Sequence, residues 1–416
     1  VIRVIGGSKQ IMDQIAQVVI VGAGPAGSAA AATLAARGVD VLLLDKATFP
    51  REKTCGDGLT PRALAVLQEM ELLPTLEAAG ALRVTGVRIY VPDGGMMEAN
   101  FDELPGDFPP FGLTIPRRTL DATLLDHAQA AGARFVSQFR VTELMYNDGA
   151  LTGVRGTWNG EPAVARAPLI CLATGAAMPL VKKAGLLPAV PPVMRAARTY
   201  FDGTKLEPVF QLHFDRNLLP GYGWIFPLSG GRANVGAGYF PSGRFRRRSF
   251  PPRQLYDIFV SQNPAVQNQL AGAVPAGPVK SYPLRTDFLT MQTYNDGLLL
   301  VGEAAGLVNP INGEGVDYAL ESGLMAAEVI ADALADGDLS AGRLALYGQR
   351  LHERYLTLFR YLIKMRDWYI RERALNLIVS KAQRRPRLRF LFFNAALGLI
   401  DPKEGVSLRT LKDIIF

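Results

Sequence analysis

At 416 residues the chain exceeds one ordinary domain and predicts two intimately packed domains or one large one; 49% hydrophobic and 20% charged residues are ordinary globular composition with a sizeable core. Two cysteines, Cys55 and Cys171, are too few for a disulfide framework and point to a reducing cytosol, while His127, His213 and His352 show no metal-ligand spacing, so no metal is expected. The net charge of +7 is uneven: 343–416 carries 16 Lys/Arg against 6 Asp/Glu, which leaves the preceding part at −3 and points the C-terminal segment at an anionic surface.

Residues 1–11 fit no element well, and Met12, just ahead of the first strand, is as good a start for the native chain as Val1. No apolar run leads to a small-residue cleavage site, so no secretory leader is expected. Val18 to Val21 is a continuous β-branched run, as a strand buried on both faces requires. Gly22-Ala23-Gly24-Pro25-Ala26-Gly27 follows at once. An alanine-rich helix from Ser28 to Arg37 comes next, then a second buried strand from Val39 to Leu44, ending in Asp45 and Lys46. The glycines permit a tight turn and close approach of backbone to a pyrophosphate, and the helix start offers it N–H groups and a positive dipole end. Asp45, 18 residues after Gly27, is placed to accept from a ribose hydroxyl. Strand, glycine turn, helix, strand and acid together predict a dinucleotide site in a Rossmann-type βαβ unit.

Thr54-Cys55-Gly56-Asp57-Gly58-Leu59-Thr60-Pro61 is a polar glycine loop entering a helix with proline near its start. Strands of a mainly antiparallel sheet are expected at Val84 to Val91, Val193 to Asp202, Val209 to Phe214 and Tyr222 to Gly238. Between them lie Arg117, four residues before Asp121, and a buried strand Leu169 to Leu172 that ends in Ala173-Thr174-Gly175. Tyr222, Trp224 and Phe226 alternate, and so share one face of a strand. Gly236-Ala237-Gly238 looks like part of a second nucleotide fingerprint, but Tyr239-Phe240-Pro241 follows and no helix can start there. A strand from Gly297 to Val301 leads into Gly302-Glu303-Ala304-Ala305-Gly306, then Asn309-Pro310-Ile311-Asn312-Gly313-Glu314-Gly315, then a helix from Val316 to Leu334. This is a second glycine-rich turn feeding a helix, again an anion- or flavin-cradling arrangement.

Tyr347 to Val379 reads as one helix, with Leu351, Tyr355, Leu358, Leu362, Met365 and Tyr369 at near-helical spacing and Arg354, Arg360, Lys364, Arg366 and Arg371 among them. The basic run Lys381 to Arg389 and Phe390-Leu391-Phe392-Phe393 follow. Basic residues beside exposed apolar ones suit an element lying on a membrane surface. The other reading is a helix packed on the core with a solvated basic face. The apolar stretch from Phe390 to Ile400 falls short of the roughly 20 residues a spanning helix needs.

Two glycine-rich turns some 280 residues apart in one chain resemble the p-hydroxybenzoate-hydroxylase-like FAD proteins. The resemblance implies an α/β fold: a Rossmann-type FAD-binding domain interleaved with a mainly antiparallel β-sheet substrate domain, plus a C-terminal helical segment. The expected FAD segments are 12–82, 113–190 and 291–340, the substrate segments 83–112 and 191–290, and the basic helical segment 341–416. The implied FAD-binding set is Gly22, Gly24, Ala26, Gly27, Asp45 and Lys46, then Cys55, Gly56, Arg117, Val141, Ala173, Thr174 and Gly175, and finally Gly302, Glu303, Pro310, Gly313, Glu314 and Gly315. The family's late Gly-Asp motif has Glu303 here, longer by one methylene. The acid common in the family just past Gly175 is missing, since Gly175-Ala176-Ala177-Met178 stands there. In hydroxylases that acid helps bind FAD and nicotinamide. Its absence weighs against a hydroxylase and leaves both NAD(P)H and a reduced carrier open as electron donor.

The Thr54–Leu64 loop, Leu219-Pro220-Gly221-Tyr222-Gly223-Trp224-Ile225-Phe226-Pro227 and the Asn309–Gly315 turn together resemble the geranylgeranyl reductase family, in particular its bacterial menaquinone reductases. The resemblance runs from about Ala16 to Leu334; flavin halogenases carry a second Trp where Tyr222 stands. It implies an FAD-dependent oxidoreductase acting on CH–CH groups, which saturates C=C bonds of a menaquinone tail or geranylgeranyl group with a hydride from flavin N5 and a proton. An isolated trisubstituted alkene is not electron-poor, so the proton must arrive before or with the hydride, giving cation character at the tertiary carbon. A thiol, mostly protonated at neutral pH, can donate it, and Cys55 is the candidate. The faces of Tyr222, Trp224 or Phe226 would stabilise the cation by about 1–2 kcal/mol once desolvated. The rival functions are an FAD monooxygenase or halogenase of a small aromatic, and an electron-transfer flavoprotein feeding quinone. The expected partners are an isoprenoid lipid and a membrane surface, with no nucleic-acid motif. The expected location is the cytoplasm, peripherally on the inner face of the membrane.

Overall fold

In the computed structural model, which describes residues 12–104, 108–240, 251–397 and Leu399, the strand Val18–Val21 lies inside a six-stranded sheet. Its parallel neighbours are Val41–Leu44 and Leu169–Leu172, and Leu298–Leu300 pairs in parallel on the far side of Leu169–Leu172. These strands are buried throughout, which accounts for their unbroken apolar runs. Parallel pairing also brings the two glycine turns together: both leave the same end of the sheet, one strand apart. The helices Pro25–Ala36 and Val316–Asp336 then pack so closely that a Cβ on Gly323 would sit 2.5 Å from the Ala26 carbonyl oxygen.

The second layer is an eight-stranded sheet containing Met194–Asp202, Arg232–Tyr239, Gly221–Leu228, Phe210–His213, Gly86–Tyr90 and Met96–Asn100 in that order. The stretch from Tyr222 to Gly238 is a hairpin that reverses at Gly230 and Gly231, both at positive φ. Its two faces do different work. Ile225, Ala233, Val235 and Ala237 bury against Leu255, Tyr256 and Phe259, on the helix Pro252–Gln262. Tyr222, Trp224 and Phe226 face the other way.

Several sequence expectations are corrected. Val84 to Val91 is not one strand: Leu82–Val84 joins a three-stranded sheet with Gly58–Leu59 and Gly112–Thr114, while Gly86–Tyr90 joins the large sheet. The chain changes sheets at Thr85, whose N–H donates to Pro208 instead. An unanticipated four-stranded sheet holds Met12–Ile15, Glu161–Arg166, Ala150–Trp158 and Phe139–Asn147. The helix expected over Tyr347 to Val379 is two, Ala341–Tyr369 and Glu372–Arg384, parted where Arg371 turns extended. Leu351, Tyr355, Leu358, Leu362 and Met365 are buried in the main core, so this stripe faces protein and not a membrane. A further helix, Pro386–Leu397, packs with Glu372–Arg384 over the far strands of the large sheet. Among the described residues no helix is long and apolar enough to cross a membrane. The expectations for residues 1–11 and for Pro241 lie outside the described residues, as does the end of the Phe390–Ile400 stretch.

Candidate active site

Between the carboxyl ends of the parallel strands and the aromatic face of the large sheet lies a cavity of about 780 Å³. The first glycine turn forms one end. Gly24 starts the helix Pro25–Ala36 without a side-chain cap, leaving the first-turn N–H groups for a ligand. Gly22 (φ +112°) and Gly27 are required by the protein itself. A Cβ on Gly22 would lie 2.3 Å from the Ala173 oxygen, and one on Gly27 1.9 Å from the Gly22 oxygen. Gly24 is different: its nearest neighbour would be the Arg51 guanidinium at 3.7 Å, so a side chain there enters the cavity. Asp45 accepts from the N–H groups of Ala23 (2.9 Å) and Ala47 (2.8 Å), which ties the turn to the second strand. Asp45, Lys46, Ala26 and Val141 all line this end.

The middle of the cavity is charged. Arg117 starts its helix and grips Asp121 with two bonds of 2.7 and 2.9 Å; it is a buried pair on the cavity wall, not a surface one. Arg51 reaches the same carboxylate at 3.0 Å. Arg117 also lies beside the half-buried Cys55 side chain. Glu303 accepts from the Arg285 N–H at 3.1 Å and faces Gly175, where the strand ending in Ala173 and Thr174 runs out. Burial pushes the Glu303 carboxyl above the usual carboxylate range, against the pull of Lys53. Burial in turn brings the Lys53 ammonium, set 3.3 Å over the Tyr282 ring, down to about 8.

The second glycine turn closes the cavity behind Cys55. Gly315 caps the helix Val316–Asp336 with no side chain, so a second set of N–H groups faces inward beside Gly313 (φ +73°) and Glu314. The Tyr222 hydroxyl donates to the Asn312 carbonyl and the Thr60 hydroxyl to Glu314. The aromatic strand forms the opposite wall. Tyr222 stands across from Gly238 and Trp224 from Gly236, where a Cβ would come within 2.2 Å of the indole. Within Gly236-Ala237-Gly238, Gly236 makes room for the Trp224 ring, while Gly238 packs against Ala196 on the next strand. Gly56 and Gly58 let the Cys55 loop lie flat on Phe226 and Phe210. Beyond them Val87, Leu212, Phe240 and Leu397 make an apolar end.

Three of the expected binding residues are not on the wall. Gly27 and Gly302 serve helix–strand packing, and Pro310 is buried inside its turn. Sequence reasoning missed Arg51, Lys53, Asp57, Arg198, Tyr200 and Asn234. Asp57 had a signal, its place within the glycine loop, and Arg51 and Lys53 lie just ahead of that loop; Arg198, Tyr200 and Asn234 are brought in by strand pairing between distant segments.

The family described as "FAD binding domain" matches residues 15–358. A menaquinone reductase of Mycobacterium tuberculosis is 36% identical over 348 residues, 77% of each chain. A digeranylgeranylglycerophospholipid reductase of Methanopyrus kandleri is 32% identical over 363 residues, 83% of this chain and 85% of that one. The chain belongs to the geranylgeranyl reductase family of FAD-dependent oxidoreductases. The fold agrees with that of a geranylgeranyl bacteriochlorophyll reductase-like protein from Thermoplasma acidophilum, at a TM-score of 0.81 and 24% identity over 97% of this chain and all of that one. FAD is the cofactor, and the residues present fit it. Two uncapped helix starts, one at each end of the charged section, offer unpaired N–H groups, and Gly24 leaves open the space a pyrophosphate needs.

Proposed function

We propose that the protein saturates carbon–carbon double bonds of an isoprenoid chain. The observation that carries this reading is one continuous cavity with a glycine-built dinucleotide cradle at one end and an aromatic, apolar pocket at the other, with Cys55 between them. The relatives' substrates are named as a quinone and a glycerophospholipid, and the prenyl chain is what those share.

FAD, when bound, supplies the hydride. The chain does the rest. Val87, Phe210, Leu212 and Leu397 exclude water from a prenyl group. The ring faces of Tyr222, Trp224 and Phe226 attract positive charge at the tertiary carbon. The Cys55 thiol gives the proton, and Arg117 stands beside the thiolate that remains. The alkene gains one hydride and one proton, forming two C–H bonds. NAD(P)H or a reduced carrier then returns two electrons to the flavin. Mass spectrometry of lipids from expressing cells tests the reading: the isoprenoid pool should gain two hydrogens per saturated bond. Oxygen-dependent hydroxylation or halogenation of an aromatic, with the isoprenoids unchanged, would sink it.

We also place the protein in the cytoplasm, peripherally on the inner face of the membrane. Supporting this are Trp368 and Leu377, 73% and 45% exposed, beside exposed Lys364, Arg371 and Arg373. The six-segment division given above is retained as the proposed domain organisation.

A further inference from the structure

We propose that Asn234 is a positioning residue that holds the Cys55 loop and the Trp224 ring in one fixed arrangement at the prenyl end of the cavity. The proposal rests on the reductase reading above.

Asn234 is fully buried in the middle of a strand, opposite Phe226. Asparagine is a poor strand former, and a buried amide costs stability unless its bonds are made. Here they are made to three functional neighbours. Nδ2 donates to the Cys55 carbonyl oxygen and to Asp57 Oδ2, both at 2.8 Å. Oδ1 accepts from Trp224 Nε1 at 3.0 Å. An indole can only donate and a carbonyl can only accept, so the amide has one orientation that satisfies them all. One side chain therefore ties the loop to the aromatic strand, across 179 positions of sequence in the case of Cys55.

Asp57 completes the clamp. It sits at φ +65°, in the left-handed region that disfavours an L side chain. Its Oδ2 also accepts from the Tyr200 hydroxyl at 2.7 Å, and its Oδ1 from the Arg117 N–H at 3.2 Å. Arg198 lies 4.1 Å over the Tyr200 ring. The charged and titratable groups around Asn234 are thus Asp57, Tyr200, Arg198, Arg117 and Cys55. Loss of the amide would let the loop shift against the ring, and a misplacement of about 1 Å can cost a hundredfold in rate.

The test follows oxidation of dithionite-reduced holoenzyme mixed anaerobically with geranylgeraniol in detergent. Asn234→Ala should retain FAD and slow that oxidation about ten- to a hundredfold. In a Cys55→Ser background the same change should cost clearly less, because the proton donor is gone and only the Trp224 ring is left to misplace. An equal loss in both backgrounds, or none in either, overturns the proposal. Asn234→Asp keeps the shape and serves if the alanine variant fails to fold. Its carboxyl can donate again only when protonated, and burial beside Asp57 favours protonation, so its rate relative to wild type should recover as pH is lowered. A ratio flat in pH overturns the proposal. Failure of the reductase reading shows separately, as wild-type flavin that stays reduced with geranylgeraniol present.

Discussion

Single residues here separate into those the cofactor needs and those the protein needs. Gly24 has an ordinary φ of −80° and open space beside it, so Gly24→Val should fold yet purify without flavin colour. Gly27→Val should fail to fold, because its side chain would strike the Gly22 carbonyl. Cys55→Ser should keep FAD and its reduction by dithionite but slow alkene reduction about 10²–10⁴-fold; a near wild-type rate would make Cys55 a packing residue. Cys171, by contrast, is sealed between strands, and burial pushes its thiol up to about 12, which leaves it inert. Glu314 carries a pH prediction. Burial holds Glu314 and its neighbour Asp317 above the usual carboxylate range, although Arg62 pairs with Asp317 Oδ2 at 3.1 Å; Glu314 Oε2 has no hydrogen-bond donor. The folded state therefore binds more protons than the unfolded chain across that window, and stability falls as pH rises through it. Glu314→Gln mimics the protonated form. It should raise Tm by about 2 °C near pH 8 and by less near pH 5; equal gains at both would assign the effect to packing.

Among the elements, the long C-terminal helix shows what periodicity can and cannot say. Apolar residues at helical spacing establish that a face wants covering, but not what covers it. In Ala341–Tyr369 the cover is the protein, where Tyr355 and Phe359 pack around Phe288 and Tyr318. The exposed apolar and basic patch is smaller and lies at the helix end, around Trp368. Binding to anionic liposomes should thus fall when Trp368→Ala is combined with Arg371→Glu and Arg373→Glu. It should also weaken with salt, since charges are screened over about 8 Å at physiological ionic strength. Equal recovery of wild type on anionic and neutral liposomes at low salt would rule the patch out. The aromatic hairpin gives the complementary case: its alternation was legible as a face, and Gly236, across from Trp224, shows why that face can carry an indole.

For the molecule as a whole, the cofactor's cavity is where distant segments of the chain converge. The glycine turns, the Cys55 loop and the aromatic sheet all line it. Released flavin should chromatograph as FAD, because FMN would leave the Gly22–Gly27 turn and Asp45 unused. Added FAD should raise the stability of flavin-stripped protein, by about 2.7 kcal/mol at a hundred times its Kd. A thermal midpoint indifferent to FAD would contradict a cavity that bridges both layers.

The sequence alone determined the βαβ unit, the second glycine turn, the aromatic alternation and the family, because each is written in contiguous residues whose spacing has a local physical cause. A tight turn needs glycine, a doubly buried strand needs an apolar run, and one face of a strand needs period two. Tertiary structure alone decided that Arg51 and Arg117 share Asp121, that Asn234 clamps the Cys55 loop, and that the helical stripe faces the core. Those outcomes depend on which strand lies beside which and in what register. Pairing at that distance is set by the packing of the whole chain, and no local pattern of residues encodes it.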